Sequence, residues 1–244
     1  MREAEKLVPQ AGWLYLADQA NFPYGEKTAE EVRRLTFKAV EFFRKKGCRL
    51  VVLACNTATT NAIIQARQRF PQLSFVGVEP VVKPLAKLTK TGHLAVLSTP
   101  ATQQSRKLKQ LIARHAADKT VYNLACPGLA DWVEKGVTDG PQLERLLKKL
   151  LAPAIEDRKV DVVGSGCTHY SFIKQAILKT FPKKVKFIEP SRPVAQQVKR
   201  LAEKAGVDQN LKKTVFYTTA NPQRFAKIAS RLLKRRVVAK KVKL

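Results

Sequence analysis

Short apolar runs alternate with longer amphipathic stretches along the whole chain. The runs at 13–17, 50–54, 74–78, 94–97, 120–124, 161–164 and 185–188 predict strands, and 215–218 is a further candidate. Between them the pattern predicts helices over 28–46, 57–70, 81–88, 101–117, 141–155, 171–180, 192–205 and 222–233. Strands and helices in alternation point to parallel α/β sheets, because a parallel pair needs a crossover and a helix supplies it. The runs VVLA (51–54) and DVVG (161–164) are short and valine-rich, as strands buried on both faces are.

Two of these strands end alike. ACNTAT at 54–59 and SGCTHY at 165–170 each place a cysteine, then small hydroxylic or amide residues, where strand gives way to helix. In open parallel sheets ligands bind outside the carboxyl ends of the strands. A helix N-terminus at that place favours a thiolate and a bound carboxylate alike. The cysteines lie 112 positions apart (167 − 55), a weak internal repeat, and two similar lobes facing each other bring both to one cleft. Inverting a stereocentre by proton transfer needs an acid/base on each face of the substrate, and matched cysteines supply the pair.

Each motif has a plainer reading beside the chemical one. Cys55 alone is a small core residue; followed by Asn56 and Thr57 it heads a carboxylate site, and the second unit favours that reading. Cys167, Thr168 and His169 suggest a Cys–His nucleophile pair, but adjacent placement on the chain makes that awkward. A more natural role for His169 is to polarise the cleft, shift the thiol or assist proton transfer. DQANFPYG (18–25) is first a turn; Gly25 then lets backbone approach a ligand, with the Tyr24 hydroxyl as donor. Cys126 in CPGLADWVE reads as structural and Cys48 as inert. Glu134 reads as a surface helix residue, its other reading being a place facing the cleft.

Composition narrows the classes. The 244 residues suffice for one large domain or two smaller ones. No run approaches the ~18 to 20 apolar residues that span a bilayer, and MREAEKLVPQ lacks a signal-peptide core, so a soluble cytoplasmic protein without membrane partners is expected. Four cysteines without a CxxC pair argue against a zinc module, and no metal is expected. The net charge of +27, from 46 Lys and Arg against 19 Asp and Glu, would attract polyanions or an anionic small substrate. No aromatic-interleaved basic stretch, zinc-finger spacing or RNP-like segment accompanies it, so a solvated surface is preferred and nucleic acid rests on charge alone.

With these segments placed, the chain resembles the glutamate racemases, in the aspartate/glutamate racemase group that works without a cofactor. The resemblance rests on D-x-x-x-x-PYG (18–25), ACNTA (54–58), VGVEP (76–80), LST-x-x-T (97–102), CPGLADWVE (126–134) and GCTHY (166–170), in that order over almost the whole chain. It implies an α/β fold of two similar, open, mostly parallel sheet domains facing each other across a cleft. Residues 1–80 with 189–244 would form one lobe and 81–188 the other. It implies interconversion of L- and D-glutamate, supplying D-glutamate for peptidoglycan, with Cys55 and Cys167 as the bases. Tyr24, Gly25, Asn56, Thr57, Thr168 and His169 would bind substrate, and His169 and Glu134 would assist proton transfer. The expected partners are that substrate and a second copy of the chain in a homodimer. The rivals are a racemase of aspartate or another acidic amino acid, and a catalytically weak basic binding protein on the same fold.

The sequence departs from the family pattern in three places. The family's opening strand and aspartate-serine-glycine loop have no counterpart before PYG, and 1–9 corresponds to the tail of the helix that follows that loop. A first lobe short of one strand and a weakened catalyst are therefore expected, unless 1–10 moves into the vacant place. Ser165 stands where leucine is usual, and Ser171 where proline is.

Overall fold

The computed structural model describes residues 1–205 and 213–244. Its strands are β1 (Trp13–Ala17), β2 (Leu50–Leu53), β3 (Ser74–Gly77), β4 (His93–Ser98), β5 (Thr120–Ala125), β6 (Val162–Gly166), β7 (Lys186–Ile188), β8 (Thr214–Thr218) and β9 (Ala239–Lys241). Its helices are α1 (Arg2–Leu7), α2 (Ala29–Lys45), α3 (Asn56–Arg69), α4 (Val82–Leu88), α5 (Pro100–Gln104), α6 (Arg106–His115), α7 (Leu129–Glu134), α8 (Pro141–Glu156), α9 (Lys174–Thr180), α10 (Ser191–Lys204) and α11 (Pro222–Leu233). Every strand pairing is parallel.

The strands fall into a four-stranded sheet of order β5-β4-β6-β7, a three-stranded sheet β1-β8-β9 and a pair β2-β3. The four-stranded sheet carries what we call the second lobe. Its central strands are buried on both faces, which is why they read as unbroken apolar runs. On one face Ala95, Leu97 and Val163 pack with Leu143, Leu147 and Leu151 of α8 and Ile177 of α9. On the other, Leu94, Val96 and Val162 pack with Val82 and Leu85 of α4 and Leu108 of α6.

The first lobe is built on the other two sheets. Val40 of α2 and Ala66 of α3 cover Val51, Leu53 and Phe75. The helix α2 begins with a reciprocal cap: Thr28 accepts from the Glu31 N–H while the Glu31 carboxylate accepts from the Thr28 N–H. Among the described residues β1 pairs only with β8, and β2 only with β3, so each leaves one edge without a strand partner. Residues 1–10 do not fill that place. Arg2–Leu7 is helical, and Ala4 packs with Ala195 and Val198 of α10.

The structure corrects three expectations. The helix expected over 101–117 is two, because Ser105 is extended (φ −61°, ψ 138°), ending α5 and capping α6 through the Leu108 N–H. The helix expected over 171–180 begins instead as a 3₁₀ turn, Thr168–Ile173, before α9. Short α1, α7 and β9 were not foreseen; α7 starts from Gly128 at φ +69°, a conformation glycine adopts without strain. Among the described residues no helix is long and apolar enough to cross a membrane.

Gly164 of β6 sets how closely α4 can approach the sheet. A Cβ there would stand 2.4 Å from Leu85 Cδ1 and 2.6 Å from Val81 Cγ2. Gly164→Ala should therefore destabilise by ~1–3 kcal/mol through overpacking, and Leu85→Ala by ~2–5 kcal/mol through the lost side chain. In urea unfolding followed by circular dichroism the double variant should lose clearly less than the sum, because the shortened residue vacates the contested space. Additive losses would mean that the two positions do not share it.

Candidate active site

The two cysteines have the same backbone geometry at two strand ends. Cys55 lies between β2 and α3 and is extended at φ −142°, ψ 124°. Cys167 lies between β6 and the 3₁₀ turn at φ −143°, ψ 130°. In both lobes the residue directly before the helical turn is an extended cysteine, preceded by Ala54 in the first and by the last residue of β6 in the second. The two loops touch: the Thr168 hydroxyl donates to the carbonyl of Ala54 at 3.1 Å. Cys167 is buried and Cys55 partly exposed. Burial, joined by a charge on Cys167, outweighs the N–H groups of Ala58 and Thr57 at the start of α3 and carries the Cys55 thiol up to about 11.

Asn56, next to Cys55, is only 2% exposed. Neither its Oδ1 nor its Nδ2 has a hydrogen-bond partner among the described residues. An unpaired buried amide is costly, and one placed beside the cysteine at a helix start has the donor and acceptor that a carboxylate and an ammonium require. Thr57 closes a ring of three hydroxyls: its Oγ1 lies 2.9 Å from Thr99 Oγ1 and 3.1 Å from Thr102 Oγ1, and those two are 3.1 Å apart. The ring joins α3 of the first lobe to α5 of the second.

Gly25 is buried against that ring. A Cβ on it would meet Thr99 Cβ at 2.6 Å, so this turn needs a residue without a side chain. The Tyr24 hydroxyl donates to Asp18 Oδ2 at 2.6 Å. Its one proton is thus given to Asp18 in this arrangement, and toward the site it presents lone pairs. Asp18 is itself held by the Asn21 amide and, at 2.8 Å, by the Thr219 hydroxyl.

On the second lobe His169 bridges an acid and a thiol. Its Nε2 is 2.8 Å from Glu134 Oε1 and its Nδ1 is 3.8 Å from Cys167 Sγ. The Cys–His contact that looked awkward along the chain forms because the 3₁₀ turn starts directly after the extended Cys167 and brings the ring back toward the sulfur. Burial opposes a charge on His169, but the bonds to Cys167 and Glu134 outweigh it and carry the imidazole up to about 10. Burial likewise opposes a charge on Glu134, and the His169 bond and charge with the Gln19 amide hold its carboxyl below the usual range. Glu134 is therefore half-buried and turned to the site, not a surface helix residue.

Of the residues named from sequence, Cys55, Asn56, Thr57, Cys167, Thr168, His169, Glu134 and Gly25 come together, and Tyr24 borders them as the neighbour of Gly25. Thr99, Thr102 and Gln19 were missed as site residues. Thr99 and Thr102 carried a signal, a strand end followed by a Thr-Pro helix start. Gln19 carried none. Cys126 is 2% exposed, its carbonyl accepting from the Tyr170 hydroxyl at 3.1 Å, and burial pushes its thiol up to about 12. Among the described residues no cluster of three or more His, Cys, Asp or Glu side chains is placed to hold a metal. A cavity of about 530 Å³ between α2 and residues 241–244 includes none of the site residues.

The charge on His169 is measurable. In ¹⁵N NMR its ring should stay doubly protonated until near pH 10, and Glu134→Gln should bring its titration down toward the ordinary ~6.5. A neutral ring at pH 8 in the unaltered protein would mean that Cys167 and Glu134 do not hold the proton on His169.

The family model described as Asp/Glu/Hydantoin racemase matches residues 2–198, which include both cysteine loops. The chain is 38% identical over 237 residues to the glutamate racemase of Clostridium novyi, covering 96% of this chain and 91% of that one. It is also 38% identical over 230 residues to that of Pseudomonas aeruginosa, covering 93% and 86%. The crystal structure of a glutamate racemase isoform from Bacillus anthracis superposes with a TM-score of 0.85 at 28% identity, covering 100% of this chain and 92% of that one. The paired strand-end cysteines thus sit within a match that runs through most of the sequence, and the chain belongs to the Asp/Glu/hydantoin racemase family.

Proposed function

We propose that this protein interconverts L- and D-glutamate, with Cys55 and Cys167 exchanging protons with opposite faces of the α-carbon. The observation that carries the mechanism is the matched pair of extended cysteines on loops joined by the Thr168–Ala54 hydrogen bond. Glutamate as substrate comes from the relatives, and the unpaired Asn56 amide supports a polar ligand at the same place.

An amino-acid α-proton is weakly acidic, so the site has to favour the carbanion through charge and geometry. One thiolate takes the proton and becomes a thiol, and the electron pair passes into the adjacent carboxylate. The opposite thiol then delivers its proton to the other face and becomes a thiolate. Protons are conserved, and the two sulfurs have exchanged roles. At neutral pH Cys55, pushed up by burial, is the thiol. The His169 imidazolium supplies the positive charge that a thiolate at Cys167 needs. Asn56, Thr57 and the start of α3 hold one carboxylate, with Thr168, Gly25 and Tyr24 completing the surround.

The same reading divides the chain into lobes of 1–80 with 189–244 and of 81–188. It places a homodimer in the cytoplasm and sends D-glutamate to peptidoglycan. The positive net charge favours approach of an anionic amino acid.

Enantiomers have equal free energy in water, so kcat/KM for any variant is the same in both directions. Direction is read instead from the isotope effect of α-deuterated substrate. Cys55→Ser and Cys167→Ser should each lower kcat/KM by about 10²–10⁴-fold, and should raise the isotope effect for opposite enantiomers. Cys48→Ala should leave turnover near that of the parent, and aspartate should turn over far more slowly than glutamate. Either serine variant keeping the full rate would remove the two-thiol mechanism, and faster turnover of aspartate would replace the substrate.

A further inference from the structure

Gln19 has no part in the proton transfers described above, yet it crosses from one lobe to the other. Its Nε2 donates to Glu134 Oε2 at 2.7 Å, although the residues are 115 positions apart. At its other end Oε1 accepts from the Thr218 hydroxyl at 3.1 Å. Thr218 ends β8 and is fully buried. These contacts fix the amide in one orientation: an ionised carboxylate can only accept, so the NH₂ must face Glu134, and the oxygen is left for the hydroxyl. Glutamine alone among the common side chains has both the reach and the two-ended chemistry that this placement uses. Glutamate would set two carboxylates against each other, and methionine would keep the length without donor or acceptor.

The Glu134 carboxylate is thereby held at both oxygens, Oε1 by His169 and Oε2 by Gln19. Glu134, His169 and Cys167 all belong to the second lobe and would move as one body when the lobes part. The Gln19 contact is the hydrogen bond to that trio from the first lobe, and it exists only while the lobes meet. We propose that Gln19 is a positioning residue for the proton transfers at Cys167, acting through Glu134 and His169 and setting them only in the closed form. This inference rests on the racemase reading and adds to it a residue, and a coupling between closure and chemistry, that the cysteines alone do not imply.

The titratable and charged groups around the trio are few. Cys167 and Glu134 flank His169, Tyr170, Cys126 and Cys55 face Cys167, Arg224 of α11 acts on Glu134, and Tyr15 of β1 feels the charges of Glu134 and Cys55. Gln19 is neutral, so removing its amide changes a hydrogen bond to Glu134 and no net charge. The loss has a definite sign: a bond to the charged form of an acid favours that form, so without it Glu134 takes up its proton at higher pH.

The test uses Gln19→Met and Gln19→Ala in the full chain, with α-deuterated L- and D-glutamate, ¹³C NMR of the Glu134 carboxyl, and melting temperature. Both variants should melt within a few degrees of the parent and lose about ten- to a hundredfold in kcat/KM. The isotope effect should rise only for the enantiomer whose effect Cys167→Ser raises, and the Glu134 titration should move to higher pH. Full activity in Gln19→Met overturns the proposal. So does an isotope effect that rises for both enantiomers or neither, which would mark a general structural part. A parent protein that turns over neither enantiomer would defeat the racemase reading instead. The Glu134 titration then decides for Gln19 separately: an unchanged titration in Gln19→Met overturns its hold on the acid, and an upward move supports it.

Discussion

At two strand ends of the parallel sheets the chain passes through an extended cysteine directly into a helical turn, after Ala54 in one lobe and after Gly166 in the other. The rest of the site depends on that constraint. It holds Cys55 and Cys167 at nearly identical φ and ψ in two different sheets. It also places helix-start N–H groups beside the Cys55 sulfur and the His169 ring beside the Cys167 sulfur, and brings the two loops into contact. Small residues follow each cysteine because the loops are packed hydroxyl against hydroxyl and hydroxyl against backbone, as the Thr57, Thr99 and Thr102 ring and the Thr168–Ala54 bond show.

Within this symmetric frame the two thiols are surrounded differently. Cys167 has an imidazolium beside it, itself backed by a carboxylate. Cys55 has backbone N–H groups and burial, and burial prevails. In the proposed mechanism the two thiols must differ in protonation at each moment, and such inequality serves it, since two thiols in identical surroundings would not settle which carries the proton. The unequal settings come from the second layer of residues: Glu134, reached through the short helix α7, and Gln19, reached from the first lobe.

The alternation of buried strands and amphipathic helices was legible because it is local: β1 and α11 begin and end where the apolar pattern does. The cysteine loops were legible because a strand end followed by Cys and small polar residues occurs twice. Three things were not. Ser105 interrupts a continuous helical pattern through its own backbone conformation, which no periodicity encodes. Glu134 looks like any acid on a short helix until His169 is seen 2.8 Å away. Gln19 meets Glu134 across 115 positions of chain, a contact made by tertiary packing and invisible to spacing. The family resemblance supplied the roles of His169 and Glu134 that the residues by themselves left open.

The central claim is that separate sulfurs serve the two faces of one carbon, and isotope transfer in D₂O tests it most directly. L-Glutamate converted to a small extent should yield D-glutamate carrying one deuterium at the α-carbon, while the unreacted L-glutamate keeps its protium. The mirror result should follow from D-glutamate. Protium carried over into the product, or deuterium entering substrate and product at equal rates, would mean that a single base serves both faces, and the two-thiol account would fail.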